Sequence, residues 1–418
     1  MHWMCVLPLC FITAVGYSSA TPNAKLVGIA GDGKKDESAV IQKALDECAA
    51  KGGGTVKLPA GKYRLDKPIT VPSGVTLAGE WEAPHHAQLA KGTVILAYAG
   101  RGRENGSPLV SLSPSSAVKG LTFFYPLQRI PETKPYPWTI QGSGMHCSVM
   151  DVTLVNSYKG IDFATHANEL HYIRNVFGCP LKVGISVDQC TDIGRIENVH
   201  FNPHYWMRAE VEGIPTWEAL SAFLAQNCTA FEFARTDWEY VFNTFSYGCK
   251  IGYRFYASKH GACNGNFLGI GVDWAQIPML VEQTQEPGLL ITNGEFVGGQ
   301  GCETQIEVTK SHGGVVQLAN CSFWGPAKRI ARIAGDGMVS FSQCNFVNWG
   351  DAYAIEAHGG DVTVQACRFA HGEKHVTLEP KVKTAVISGN TMLSPTRIDN
   401  RSKGDVQIGG NASRAVKK

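Results

Sequence analysis

Three short segments of this 418-residue chain recur at one spacing. Cys321-Ser322-Phe323, Cys344-Asn345-Phe346 and Cys367-Arg368-Phe369 lie 23 residues apart, and Asn390-Thr391-Met392 takes the next step. Upstream, the same phase reads Asn175-Val176, Asn198-Val199, Asn243-Thr244, Asn266-Phe267, Asn293-Gly294 and Asn320-Cys321. A second segment recurs beside it: Gly160-Ile161-Asp162-Phe163, Gly184-Ile185-Ser186-Val187, Ala230-Phe231-Glu232-Phe233 and Gly252-Tyr253-Arg254-Phe255. A unit this short cannot bury its own apolar face, so it must stack on copies of itself. Short β-branched and aromatic runs punctuated by Gly, Asn and Asp predict an all-β, single-stranded, right-handed parallel β-helix. Successive coils then lie about 4.8 Å apart, with equivalent residues in ladders along the axis.

The ladders carry further expectations. Cys321, Cys344 and Cys367 should point inward beside a Phe ladder as packed thiols, because no C-x-x-C pair or dense cysteine framework is present. The Asn series should mark a corner, since Asn tolerates the left-handed conformation and can bond its neighbour in the next coil. Before the coils, Asp36 is placed to cap a helix running to Ala50. Val40, Ile41, Ala44, Leu45 and Cys48 would lie on its inner face and Gly52 would stop it, so that the helix plugs the open end of the stack.

Residues 1–20 read as a secretory signal peptide. The apolar run from Val6 to Val15 is too short to span a bilayer, and Ser18-Ser19-Ala20 forms a small-residue cleavage pattern. The mature chain is expected to be secreted or periplasmic, as one β-helix domain over residues 21–411 with a basic tail at 412–418. Residues 202–227 interrupt it as an inserted loop and helix. With 38 Lys+Arg against 36 Asp+Glu, the net charge of +2 offers no basic excess for nucleic acid. No later segment has the length of a membrane span.

The start of the mature chain narrows the class. Gly31-Asp32-Gly33 with Asp36, then Ala39, Ile41, Gln42, Ala44 and Leu45, then GGGTVKLPAGKYRL at 52–65, resembles the N-terminal signature of the pectate-lyase-like superfamily. The resemblance is to its rhamnogalacturonase- and epimerase-type β-helix domains and covers about residues 28–80. It implies a secreted protein acting on a polysaccharide or oligosaccharide and leaves the reaction open among hydrolysis, elimination and epimerisation. The polygalacturonase motifs Asn-Thr-Asp and Gly-His-Gly are absent. The uronate epimerase motif Asp-Pro-His-Glu has only an echo in Asn202-Pro203-His204-Tyr205.

Candidate chemistry comes from register. Six residues before Asn175, Asn198, Asn243 and Asn266 stand Glu169, Asp192, Asp237 and His260, expected at one equivalent site in four successive coils. Three carboxylates that close cannot all ionise cheaply, so one should be held protonated or a cation should sit between them. An Asp/Glu acid–base pair for glycoside hydrolysis is the favoured reading and needs no cofactor. The alternative is a lyase with Glu169, Asp192 and Asp237 as calcium ligands and Arg254, Lys259 or Arg195 as base. A third reading makes these residues turn formers in a non-catalytic carbohydrate-binding or structural stack.

The 45 residues between Asn198 and Asn243 span two coils, but their middle reads as loop and short helix. His204, Tyr205, Trp206 and Trp217 in that insertion are expected to stack on sugar beside Asp192 and Asp237. Asp162, Ser186, Glu232 and Arg254 form a second, outward ladder in which Glu232 and Arg254 read as a surface ion pair. Glu239, Arg254 and the neighbours Asp273 and Trp274 complete the expected substrate contacts, with Asp188 flanking them. His200 and His204 sit on a strand and a loop, which does not aim both at one zinc ion.

Overall fold

The protein was analysed as a computed structural model that describes residues 28–81 and 89–414. The expected signal peptide and the last four residues of the basic tail lie outside them. The described chain winds as a right-handed parallel β-helix with three faces. The first face is a 13-stranded parallel sheet running from Ile69–Val71 to Ile398–Asn400. The second and third faces belong to one 24-stranded sheet. In its central coils, single strands such as Tyr172–Gly178 and Thr236–Tyr247 cross from one face to the other at a bend.

That bend is the Asn corner. Asn175, Asn198, Asn243, Asn293 and Asn320 all have φ between 49° and 56°. Asn198 Nδ2 donates to Asn175 Oδ1 at 2.8 Å, and Asn320 Nδ2 to Asn293 Oδ1 at 2.6 Å. The side chain thus satisfies its neighbour's amide along the axis while its backbone takes the turn. Asn266 is not on this ladder. It pairs with Tyr240 and Leu290 on the second face, and Gly269, at φ +64°, takes the corner above Asn243. The coil from Asn243 to Gly269 is 26 residues long, so a count made in steps of 23 slips by three.

Inside the coils the side chains stack in register. Phe296, Phe323, Phe346 and Phe369 form one column with successive ring centroids 5.4, 5.3 and 4.7 Å apart. Beside it, backbone N–H groups donate up a column of acceptors. Gly294 N reaches Cys321 Sγ at 3.4 Å, Cys344 N reaches Cys367 Sγ at 3.4 Å, and Cys367 N reaches Asn390 Oδ1 at 2.9 Å. The thiols therefore serve as acceptors for inward-facing amides as well as filling space. All eleven cysteines from Cys48 onward are buried and free.

The capping helix α1 spans Ser38–Ala50 and buries Ile41, Ala44, Leu45 and Cys48, while Val40 is half-buried. Glu37, not Asp36, is its capping residue and makes no side-chain cap; Asp36 Oδ1 instead accepts from Ser38 N at 3.0 Å. Gly52 at φ +98° ends the helix, and Gly53 N bonds back to Cys48 O at 3.1 Å.

The insertion follows the strand Arg195–Phe201 and holds two helices, α2 (His204–Met207) and α3 (Trp217–Asn227). Asn202 Oδ1 accepts from His204 N at 2.9 Å, and Thr216 Oγ1 accepts from Ala219 N at 3.2 Å to start α3. The insertion covers the third face. The Tyr205 ring lies 6.0 Å from Phe177 and 5.7 Å from His200, both on the stretch after the Asn corner. Among the described residues no helix is long and apolar enough to cross a membrane.

Truncating the Phe column tests this packing. Phe346→Ala should cost about 3–5 kcal/mol in chemical denaturation, and Phe346→Leu distinctly less, because the column loses both contact area and stacking.

Candidate functional site

The expected carboxylate ladder does not assemble. Bridge pairing runs Asn168 to Cys190 to Thr236, which places Glu169, Thr191 and Asp237 on one line and Asp192 one residue beyond it. Glu169 accepts a hydrogen bond from the Thr191 hydroxyl. Asp237 is paired with Arg235 at 2.6 Å and accepts from Gln285 Nε2 at 2.8 Å, while Asp192 is solvent-exposed. His260 is exposed in the turn closed by Ser258 and Gly261, and Asn264 stands next to Asp237 in its place. Glu169 and Asp237 each have their own partner and Asp192 faces water, so the four residues do not form one ladder, and among the described residues these carboxylates do not converge as a metal-holding cluster. Asp237 does line an open groove of about 580 Å³ with Trp238, Asn264, Gln285 and Leu290.

Three expected sugar contacts also fall away. Tyr205 and Trp206 are 1% and 0% exposed, because they are the wedge that seats the insertion on the third face. Glu239 is 0% exposed and lies within the coil stack. Its Oε1 is 3.0 Å from His171 Nε2, and its Oε2 accepts from the Thr236 hydroxyl at 2.6 Å. His171 Nδ1 meets Asn168 Oδ1 at 2.9 Å. Burial alone would lower the His171 pKa, but the Glu239 carboxylate and the Cys190 contact outweigh it and raise it to about 10. A Cβ at Gly194 would stand 2.1 Å from His171 Cε1 and 2.4 Å from Glu239 Oε2, so this glycine makes the room. Ligand atoms of His171, Cys190 and Glu239 lie within 4.8 Å of one another, close enough to hold a metal. The ring nitrogens and both Glu239 oxygens already have partners, so the network is complete without one.

The buried charge that does face outward gathers on the first face. In-register pairing runs Gln141, Asp162, Ser186, Glu232, Arg254. Asp162 is fully buried and accepts from Gln141 Nε2 at 2.6 Å and from the backbone of Ala164 and Thr165 at 2.7 and 3.1 Å. Glu232 accepts from the Ser186 hydroxyl at 2.8 Å, with Arg254 Nη1 3.8 Å away. Burial raises the Glu232 pKa, against the Ser186 hydrogen bond and the Arg254 charge. Arg254 Nε is held by Glu282 at 2.8 Å, and its guanidinium carbon sits 4.4 Å above the Tyr256 ring.

Asp188, two residues past Ser186, is also buried. It accepts from Gln189 N, Arg235 N and Ser258 Oγ at 2.7, 2.9 and 3.0 Å, all on Oδ1. Burial raises the Tyr256 phenol well above its ordinary value, and the charges of Glu232 and Asp188 add to it. Lys159 completes the patch. It is 8% exposed, its ammonium lies 5.0 Å over the Trp138 ring, and burial lowers its pKa. Buried and half-buried ionisable groups of both signs, with opposed pKa shifts on one face, make this the candidate functional patch.

The sequence displayed this ladder by strand alternation, but Glu232 read there as a surface ion-pair partner. Lys159 and Tyr256 were missed because they lie at strand ends, outside the repeated segment. Arg254 belongs to the patch. Trp217, Asp273 and Trp274 lie away from it, around an aromatic groove on the third face, and His204 stacks on Trp217 at 5.3 Å. Burial raises the Asp273 pKa.

Residues 22–124 match the family described as rhamnogalacturonase A/epimerase, pectate lyase-like, in agreement with the resemblance read from residues 28–80. The chain is 45% identical over 64 residues to mannuronan C5-epimerase AlgE3 of Azotobacter vinelandii, a stretch of 14% of this chain and 4% of that one. It is 39% identical over 80 residues to alginate lyase 7 of the same organism, covering 19% of this chain and 8% of the relative. The chain thus spans less than a tenth of either relative. Among solved structures, the N-terminal fragment of bacteriophage phi29 gene product 12 superposes with a TM-score of 0.50 at 14% identity, covering 94% of this chain and 71% of that one. This likeness is one of fold.

Replacing Glu239 by Gln should destabilise the protein by about 3–5 kcal/mol at neutral pH, because it breaks a buried pair and leaves His171 to give up its proton. The His171 pKa is raised on folding, so its stabilisation is complete below its unfolded pKa of about 6.5. It is lost as pH climbs to about 10. Denaturation midpoints measured across that window should fall in the wild type and stay flatter in Glu239→Gln.

Proposed function

Taking as premise a parallel β-helix with the pectate-lyase-like signature, we propose that the protein is a carbohydrate-active enzyme that hydrolyses an acidic poly- or oligosaccharide across the first face. The observation that carries the reading is Glu232, a half-buried carboxyl with a raised pKa, held by Ser186 at 2.8 Å and bordered by Asp188 on the adjacent coil. Diagonal neighbours on adjacent strands have Cα atoms about 7–8 Å apart. Inverting glycosidases separate their two carboxyl groups by about 6.5–9.5 Å to leave room for water.

Glu232 then protonates the leaving glycosidic oxygen, while Asp188 takes a proton from the water that attacks the anomeric carbon from the opposite side. The C–O bond to the leaving sugar breaks as the bond to water forms, and the configuration inverts. Arg254 and Lys159 favour an anionic sugar, which agrees with relatives named for mannuronan and alginate. Residues 1–20 would direct the enzyme out of the cytoplasm.

A second reading rests on Lys159. Burial lowers its pKa, and as a base its amine would abstract a proton next to a uronate carboxylate that Arg254 neutralises. That chemistry gives elimination or epimerisation instead of hydrolysis.

Incubation with a panel of uronate polysaccharides separates the two readings. Hydrolysis yields reducing ends with no ultraviolet-absorbing unsaturated product and an inverted anomer by NMR. Unsaturated ends, or solvent deuterium incorporated without cleavage, would refute hydrolysis. Glu232→Gln and Asp188→Asn should each lower kcat by about 10²–10⁴-fold with substrate affinity retained. Glu232 must be protonated to act, so the wild-type rate should fall as pH rises through its raised pKa. A rate still climbing through neutral pH would exclude it as the acid.

A further inference from the structure

On the third face, between α3 and the coils that follow it, lies a groove of about 300 Å³. Trp217, Tyr247 and Trp274 line it with the amide side chains of Gln276 and Gln300, and none of its lining residues carries a formal charge. Trp217 is held in place from two sides: its ring stacks on His204 at 5.3 Å and lies 6.1 Å from Tyr247.

Trp274 is the informative member. Its backbone is in the left-handed region, at φ +59°, and its side chain is 45% exposed. That conformation costs a bulky residue on the order of 1–2 kcal/mol. Exposure of the indole forgoes much of the burial that would offset it. The register shift between Val272 and Ala275 accounts for the conformation, but packing does not account for a large exposed aromatic there, and such a residue at the edge of a cleft suits binding.

Flat aromatic faces suit the C–H face of a sugar ring, and neutral amides suit its hydroxyls. The lack of charge excludes the uronate preference argued for the first face, because nothing in the lining would neutralise a carboxylate. We propose that this groove is a second carbohydrate site, separate from the first-face patch, which holds a neutral pyranose segment of a polymer by stacking against Trp274 and Trp217. It would anchor the protein on mixed or neutral polysaccharide, independently of the reaction on the first face.

Affinity electrophoresis in native gels tests this with soluble glucan, xylan and galactomannan as neutral probes and polygalacturonate as the acidic one. Wild type should be retarded by at least one neutral probe. Trp274→Ala and Trp217→Ala should each weaken that binding by about tenfold or more. Trp274→Tyr should restore much of it, and Glu232→Gln should leave it intact even if turnover is abolished. Far-ultraviolet circular dichroism melts would establish that the variants fold, and the Tyr replacement covers the case in which Ala does not. Absence of retardation by every neutral probe would overturn the site, as would unchanged neutral binding in both Ala variants. Loss of neutral binding in Glu232→Gln would merge the groove with the first-face patch and overturn its independence.

Discussion

Coil-on-coil pairing governs everything else in this protein. Each coil donates its backbone hydrogen bonds to the next at a spacing of about 4.8 Å, so every side chain has an equivalent one rung above and below. Apolar residues gain from this arrangement, as in the Phe column, where each ring stacks on the next. Charged residues do not, because like charges a rung apart repel. The outward first-face ladder shows how the sequence manages this. Beyond Arg254 it runs through Leu280, Glu307, Arg332 and Glu356, with Arg332 bonded to Glu307 at 2.7 Å. Signs alternate wherever two charges are adjacent. Asp162, Asp188 and Glu232 depart from this rule by bringing three carboxylates, the first two buried and the third half-buried, onto adjoining rungs. They are kept tolerable by Ser186, backbone N–H groups, Arg254 and Lys159.

The same spacing explains the buried His171–Glu239 pair. Two ionisable groups inside the stack would be costly in isolation, yet each finds partners in the same or a neighbouring coil: Asn168 for His171 and Thr236 for Glu239. Gly194, in the coil between them, leaves space for the imidazole and carboxylate to meet. A polar network of this kind fixes register, since sliding one coil by a residue would leave several groups unpaired at once.

The fold was legible because the repeat is written in side chains that must stack: Cys and Phe inside, Asn at the corner. The site was less so, for two physical reasons. Coil length varies, and the three extra residues between Asn243 and Gly269 push His260 and Asn266 out of any count made in steps of 23. Period-two alternation, moreover, says which way a side chain points but not what covers it. Glu232 and Arg254 were placed on the outer surface correctly, but their burial depends on neighbouring ladders and strand-end residues such as Lys159 and Tyr256. Tyr205 and Trp206 failed in the opposite sense. An aromatic-rich insertion can wall a groove or wedge itself onto a face, and only the Phe177 and His200 rings waiting on the third face decide for the wedge.

The insertion thereby links fold to surface chemistry. Seating Tyr205 and Trp206 on the third face fixes α3, and α3 sets Trp217 opposite Trp274 across a neutral groove. Among the described residues no helix covers the first face at Glu232 and Arg254, and both charges stay partly exposed there. One solenoid can present such different faces because each is a separate set of ladders. A substitution along one changes the chemistry of that face and leaves the pairing that holds the other two in place.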